Sequence, residues 1–437
     1  MNLKIEKFTE ISGTVKAPSS KSYSHRAVIL ASLASGTTKI YDILPSEDVL
    51  STIHACRLLG AEINQKEDYL EVIGTSGKIH NLSSEPINLG NSGTTLRILT
   101  SVAALSDNEV TFTGDDSLKT RPMGPLLRAL KPLGVNILSN NTKAPLTIKP
   151  GFNGGETVIL GNTSSQFISS MLIAAPLSKK GLSLQVYPEF VSKPYVDMTL
   201  SVMEHFGVRT TETEYTKHEN CQKEVKDCFG EKFEILPQSY IAKDYTVEGD
   251  YSSASYLLAA CAIAGGEITI RNLFKNSKQG DKLILEILDK MGCNIYQEED
   301  SVTISSEGNL KGIEIDLSNA PDLLLTVAVL AGLAEGTSKI TGVKHARVKE
   351  TDRISCTFEE LNKLGCNVCE LEDGLIIEGN TLSGGIVDSH NDHRIAMAFS
   401  LLGLKHDVEV VNAECFSISF PDFIEALSEI GVDLCLE

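Results

Sequence analysis

Positive charge is in the minority in this chain. A formal net charge of −19 argues against broad binding to nucleic acid or to a membrane surface, while leaving room for a small anionic ligand in a local basic pocket. No apolar run is long enough to span a bilayer. The opening residues, MNLKIEKFTEISGTV, contain neither the apolar core of a signal peptide nor an Arg-rich presequence. The ten cysteines show no zinc spacing: Cys366 and Cys369 form a CxxC with no second pair following, and read as reduced thiols. A cytoplasmic setting is expected. There is also no dinucleotide fingerprint, no P-loop ending, no serine–histidine–acid order and no metal-ligand cluster, so no cofactor and no metal are expected.

What is present is a repeat. A small-residue apolar helix, a short strand, an amphipathic helix and a glycine followed by another strand recur six times. The apolar helices are expected near Arg26, Arg97, Phe167, Ala254, Leu323 and Arg394, with gaps of 71, 70, 87, 69 and 71 residues. Apolar or small residues on every face mark these as buried helices. At 437 residues two domains are expected, and six repeats group as two sets of three. The predicted architecture is α/β: two inside-out α/β domains, each of three βαβαββ-like units around buried parallel helices. The first domain is expected over 22–243 and the second over 1–21 plus 244–437, joined by a two-stranded hinge. The stretched gap falls on residues 209–231, polar and without apolar periodicity, which read as an exposed excursion. The first strand, about 3–16, is expected to complete the second domain's sheet.

The polar residues that do not repeat gather just before the buried helices, where backbone N–H groups are unpaired and anions bind. Lys21, Ser22, His25 and Arg26 lie in APSSKSYSHRAVIL, read as a loop running into a helix. LGNSGTTLR supplies Gly90, Asn91, Gly93 and Arg97, with Arg121 one strand later; arginine forks suit an anion. Ser164, Ser165 and Gln166 open the third helix, and Lys193 and Tyr195 follow in the same unit. In the second half Asp322 stands before LLLTVAVL as either a cap or an acid. RVKETDRI packs Arg347, Lys349, Glu350, Asp352 and Arg353 into a loop, and NDHRIAMAF brings Asp392, His393 and Arg394. Together these groups suit two anionic groups held in a cleft between the halves, with two carboxylates for proton transfer.

SKSYSHR, GNSGTTLR, GDDSLKTRPM, SSQF, SKPY, VEGDYSSASY, RVKETDR and DHRIAMA, in that order over the whole chain, resemble the 5-enolpyruvylshikimate-3-phosphate synthase family. The resemblance implies transfer of the enolpyruvyl group of phosphoenolpyruvate to the 5-hydroxyl of shikimate 3-phosphate, in the shikimate pathway, by a monomer without metal. It implies that Lys21, Ser22, Arg26, Ser164, Ser165, Gln166, Ser192, Asp322 and Lys349 bind shikimate 3-phosphate. Phosphoenolpyruvate falls to Lys21, Gly93, Arg121, Gln166, Arg353 and Arg394. Asp322, Glu350 and Lys21 would be catalytic. Two alternatives are a transferase acting on UDP-N-acetylglucosamine, and a non-catalytic anion-binding relative. The first normally carries a catalytic cysteine in its first domain, whereas this chain has none between Cys56 and Cys221. Three departures from the family pattern stand out: Ile418 where a lysine is common, His345 where an asparagine is frequent, and Ile98 where a proline is frequent. Gly93 is retained, so glyphosate is expected to compete with phosphoenolpyruvate in a steady-state assay; insensitivity at millimolar levels would mean that the pocket is obstructed.

Overall fold

Among the described residues six helices are buried nearly all round, as their composition requires. They are α1 (Lys21–Leu33), α2 (Gly93–Ala103), α3 (Ser165–Ala174), α4 (Tyr251–Ala264), α5 (Leu324–Leu333) and α6 (His393–Ser400). In α4 every residue but Ala264 is buried. Small hydroxyl side chains let the helices approach and still satisfy their polar atoms: Ser101 bonds Ser170 at 2.7 Å between α2 and α3, and Ser255 bonds Thr326 at 2.9 Å between α4 and α5. In this computed structural model, which describes residues 1–5, 11–162, 164–187, 190–217 and 228–436, the chain forms two compact units. One is Lys21–Val247, containing α1 to α3; the other is Met1–Ser20 with Glu248–Glu437, containing α4 to α6. Among the described residues no helix is long and apolar enough to cross a membrane.

Among the described residues six four-stranded sheets surround these helices, all built to one plan. A strand pairs in parallel with the strand that follows the buried helix; that strand pairs antiparallel with a third, and the third with a fourth. In one sheet Ile87–Asn88 runs parallel to Val110–Thr113, followed by Lys143–Lys149 and Asn136–Asn140. In another, Glu314–Asp316 runs parallel to Thr337–Thr341, followed by Gly374–Glu378 and Asn367–Leu371. A parallel pair needs a long crossover, and in four of these sheets the buried helix is that crossover; in the other two, Tyr245–Thr246 with Thr37–Tyr41 and Ile11–Lys16 with Gly266–Arg271, the paired strands are more than 200 residues apart. Helices inside and sheets outside make each unit an inside-out α/β structure.

Two expectations need correction. The opening residues form two strands, not one. Leu3–Ile5 pairs with Val408–Val411 and Leu434–Leu436, whereas Ile11–Lys16 runs parallel to Gly266–Arg271. Residues 209–231 are not simply an excursion. Thr211–Lys217 and Cys228–Ile235 pair as adjacent antiparallel strands, and residues 218–227 lie outside the described residues. Residues 211–214 are all exposed, so no apolar alternation marked the strand.

The repeat extends to individual glycines. Gly74 follows the strand Tyr69–Ile73, and its N–H bonds the Gly36 carbonyl; Gly379 follows Gly374–Glu378 and bonds the Gly336 carbonyl. A Cβ at Gly74 would overlap the carbonyl oxygens of Ala31 and Ala34, and one at Gly379 those of Ala331 and Ala334. Each glycine thus lets a strand end press on the last turn of a buried helix. Gly74→Ala and Gly379→Ala are each expected to lower unfolding stability by about 1–3 kcal/mol, the usual cost of overpacking. Urea unfolding measures it, and an unchanged midpoint would mean that the backbone has room to give.

Candidate active site

In the Lys21–Val247 unit the polar groups sit at the starts of the buried helices, one turn deeper than a loop reading implies. Lys21 is the first residue of α1, Gly93 the first of α2 and Ser165 the first of α3. The Lys21 ammonium lies 3.2 Å from Asp48 of the helix Glu47–Leu58. Asp48 was not singled out from the sequence, where it reads only as a first-turn acid. Below Lys21, a chain of buried side chains crosses three helices: His25 Nδ1 to Thr52, Thr52 to Thr95 and Thr95 to Ser92, each 2.6 Å. His25 is held well below its ordinary pKa, first by burial and then by the charges of Lys21 and Arg26. It serves as a neutral link.

Ser92 caps α2 through the Thr95 N–H. A Cβ at Gly93 would meet Arg121 Nη1 at 2.5 Å, so only glycine leaves that guanidinium where it is. Arg121 donates to Asn91 Oδ1 (2.5 Å), and Asn91 in turn donates to Asp115 (2.8 Å). Arg97 donates to Gln166 Oε1 (2.7 Å), whose amide donates to Thr94 (2.9 Å). Asn91 and Arg97 therefore orient Arg121 and Gln166. Ser164 caps α3 by accepting from the Gln166 N–H. Ser192 takes a left-handed backbone (φ 58°) before the helix Lys193–His205. Arg26 is 1% exposed and donates to Thr199 (2.7 Å) and to the Ser22 and Tyr195 carbonyls, bracing α1 against that helix. Lys193 is engaged by Asp197, Glu212 and Glu231.

In the other unit one guanidinium organises three acids. Arg353, 1% exposed at the start of the helix Arg353–Lys363, reaches Asp322 (3.0 Å), Glu350 (2.6 Å) and Asp392 (2.7 Å). Burial alone would favour losing its proton, but the three carboxylates outweigh burial and raise its pKa. Burial pushes the Asp392 carboxyl up, but the charge and hydrogen bond of Arg353 together with His393 outweigh it and hold the group below the usual carboxylate range. Asp392 also caps α6 and accepts from Thr351. Arg394 reaches Asp322 (3.0 Å) and Tyr256 (3.3 Å), and Lys349 lies 3.5 Å from Asp322. Asp322 sits inside the 3-10 turn Pro321–Leu323, where the capping positions of that turn and of α5 are Ala320 and Leu323, and it takes three cations. His393 lies 4.0 Å from Asp392. Ile418 ends the turn Ala413–Ile418 and packs against the apolar core, and Ile98 is buried within α2. Glu359, Glu360 and His390 are close enough to share an ion, but Glu360 already accepts from Lys363 (2.6 Å) and His390 (2.7 Å). Cys366 and Cys369 are free thiols.

Anion-type donors at the starts of buried helices in one unit of a six-repeat α/β fold, and in the other unit a cluster that combines acids with cations, suit a protein that binds small anions and can move protons. A family model of EPSP synthase (3-phosphoshikimate 1-carboxyvinyltransferase) matches residues 5–427. A protein of Methanobrevibacter smithii named 3-phosphoshikimate 1-carboxyvinyltransferase is 65% identical over 436 residues, covering 99% of each chain. One of Methanothermobacter thermautotrophicus with the same name is 51% identical over 433 residues, again covering 99% of each. The solved EPSP synthase of Acinetobacter baumannii is similar at a TM-score of 0.79 and 27% identity, covering 100% of this chain and 99% of that one. The chain belongs to the EPSP synthase family.

His345 carries a consequence for stability. Burial first, and Lys349 second, lower its pKa from 6.5 to about 4. It is therefore neutral at physiological pH and stands where an uncharged amide is common. A histidine whose folded pKa is depressed is protonated first in the unfolded chain, so stability is lost as pH falls from about 6.5 towards about 4, by up to about 1.4 kcal/mol per pH unit. Urea midpoints between pH 7 and pH 4.5 should fall less steeply for His345→Asn than for the parent protein; equal slopes would show that His345 is not titrating in that window.

Proposed function

We propose that this chain transfers the enolpyruvyl group of phosphoenolpyruvate to the 5-hydroxyl of shikimate 3-phosphate and releases phosphate. The observation that carries the reading is the sharing of Arg353 by Asp322 and Glu350, with Arg394 and Lys349 also on Asp322. Two acids and three cations converge on a few ångströms, which suits proton transfer beside anionic oxygens. In the addition step Asp322 takes the proton of the 5-hydroxyl as its oxygen bonds C2 of phosphoenolpyruvate, and Glu350 protonates the methylene carbon. The product is a tetrahedral intermediate. In the elimination step that carbon returns a proton, the C2–phosphate bond breaks and phosphate leaves with its electron pair, assisted by Lys21.

Phosphoenolpyruvate is assigned to Lys21, Arg121, Arg353 and Arg394 with the open backbone at Gly93, and Gln166 bridges towards the second ligand. Shikimate 3-phosphate is assigned to Lys21, Ser22, Arg26, Ser164, Ser165, Ser192 and Lys349, with Asp322 on the reacting hydroxyl. The Arg26 assignment must be met by donor capacity left beyond its three internal bonds.

The direct test is phosphate release from phosphoenolpyruvate with shikimate 3-phosphate, run beside UDP-N-acetylglucosamine as acceptor. Release with shikimate 3-phosphate alone is expected, and release only with the nucleotide sugar would overturn the reading. Asp322→Ala should lower kcat by at least about 100-fold while ligand binding persists; near-normal kcat would remove Asp322 from the mechanism.

A further inference from the structure

Behind Asp322 lies another carboxyl group for which the proposed chemistry has no use. Asp281 sits in the 3-10 turn Gly280–Leu283, 2% exposed, and accepts a hydrogen bond from the Ser252 hydroxyl in the first turn of α4. The turn is held against α4 by Gln279, whose side chain accepts from the Tyr251 N–H (3.0 Å) and donates to the Gly249 carbonyl (2.7 Å). The turn Gly280–Leu283 packs against the turn Pro321–Leu323, which carries Asp322, and against α4; the charged groups that act on the Asp281 carboxyl are Asp322, Arg394 of α6 and Asp250 at the cap of α4. The charged residues of the adjoining helix Ile284–Lys290, namely Glu286, Asp289 and Lys290, are exposed, and on its own turn Lys282 donates to the Lys275 carbonyl.

A buried carboxyl group that accepts from a hydroxyl and packs next to an ion pair that meets anions changes that pair by its own charge. Neutral, it leaves Arg394 to Asp322 and Tyr256. Ionised, it adds a negative charge behind the pair, and an arriving anion is repelled in a medium that screens poorly. We propose that Asp281 is a positioning residue that acts through Arg394 and Asp322 and sets how tightly this cluster holds phosphoenolpyruvate, with the neutral carboxyl supporting binding and the ionised one weakening it. The inference rests on the assignment of phosphoenolpyruvate to Arg394. Burial first, then Asp322, push the Asp281 carboxyl up to about 7, with Arg394 and Ser252 pulling the other way. The carboxyl is therefore neutral below that pH and ionised above it.

The experiment is the KM for phosphoenolpyruvate from pH 6 to pH 8.5 at saturating shikimate 3-phosphate, for the parent chain, Asp281→Asn and Ser252→Ala. The ligand's own phosphate titrates near pH 6, so the readout is the ratio of each variant to the parent at the same pH. For Asp281→Asn the KM ratio should be near one at pH 6 and fall on the order of three- to tenfold by pH 8.5, with the kcat ratio flat. Ser252→Ala keeps the carboxyl but removes a partner of its charged form, so its inflection should move to higher pH. A role in packing alone would give KM ratios independent of pH in both variants, and that result overturns the inference. Should Asp281→Asn fail to fold, the direction of the Ser252→Ala shift decides. Absence of phosphate release in the parent chain would instead overturn the underlying reading, and this inference with it.

Discussion

A helix buried on every face can meet solvent or ligand only at its ends. Six helices of this kind form the interior of the two units, and that constraint determines where chemistry can reside. Along α4 or α5 a charge would be stranded among apolar side chains, at a cost no single contact would offset. At the helix starts, unpaired N–H groups and the positive end of the helix dipole favour negative charge. The donors and cations that could share a bound anion with those N–H groups gather in or beside first turns: Lys21, Ser165, Arg394, Arg121 beside Gly93, and Arg353 on an outer helix. Glycines such as Gly74 and Gly379 maintain the close approach at the opposite ends.

Much of this was legible in sequence, because the features that define the fold are periodic. The spacing of the apolar helices and the two groups of three follow from composition and period. Helix starts were read a few residues late, since Lys21 and Gly93 are polar or small while already helical. Pairings across the repeats were harder to see. Lys21 with Asp48, and Arg353 with Asp392, are contacts between elements 27 and 39 residues apart, and nothing in either local segment marks its partner. The strand Thr211–Lys217 was missed for a different reason. Alternation appears only where one face of a strand is buried, and residues 211–214 are exposed throughout.

The strongly negative net charge and an anion-binding reading are compatible because the cations are gathered locally and neutralised locally. Arg353 and Arg394 are almost entirely removed from solvent and spend their charge on Asp322, Glu350 and Asp392. Cations preorganised by carboxylates need little reorganisation when a phosphate or carboxylate ligand takes over part of that role. The same packing fixes their geometry: Asn91 orients Arg121, Arg97 orients Gln166, and Thr351 and the α6 N-terminus hold Asp392.

The pairing of Leu3 with Leu436 has a further implication for how the polypeptide is made. Every residue of the Lys21–Val247 unit is available once the first 247 residues have left the ribosome, and that unit can close on itself. The strands Leu3–Ile5 and Ile11–Lys16 leave the ribosome before any of it, yet their partners are Gly266–Arg271, Val408–Val411 and the final strand. During synthesis the earliest residues must therefore wait, unpaired, for the latest, so assembly of the second unit is governed by contacts of very large sequence separation. The two halves share one architectural plan but follow opposite schedules: one has all its residues once Val247 is made, and the other only once Leu436 is made.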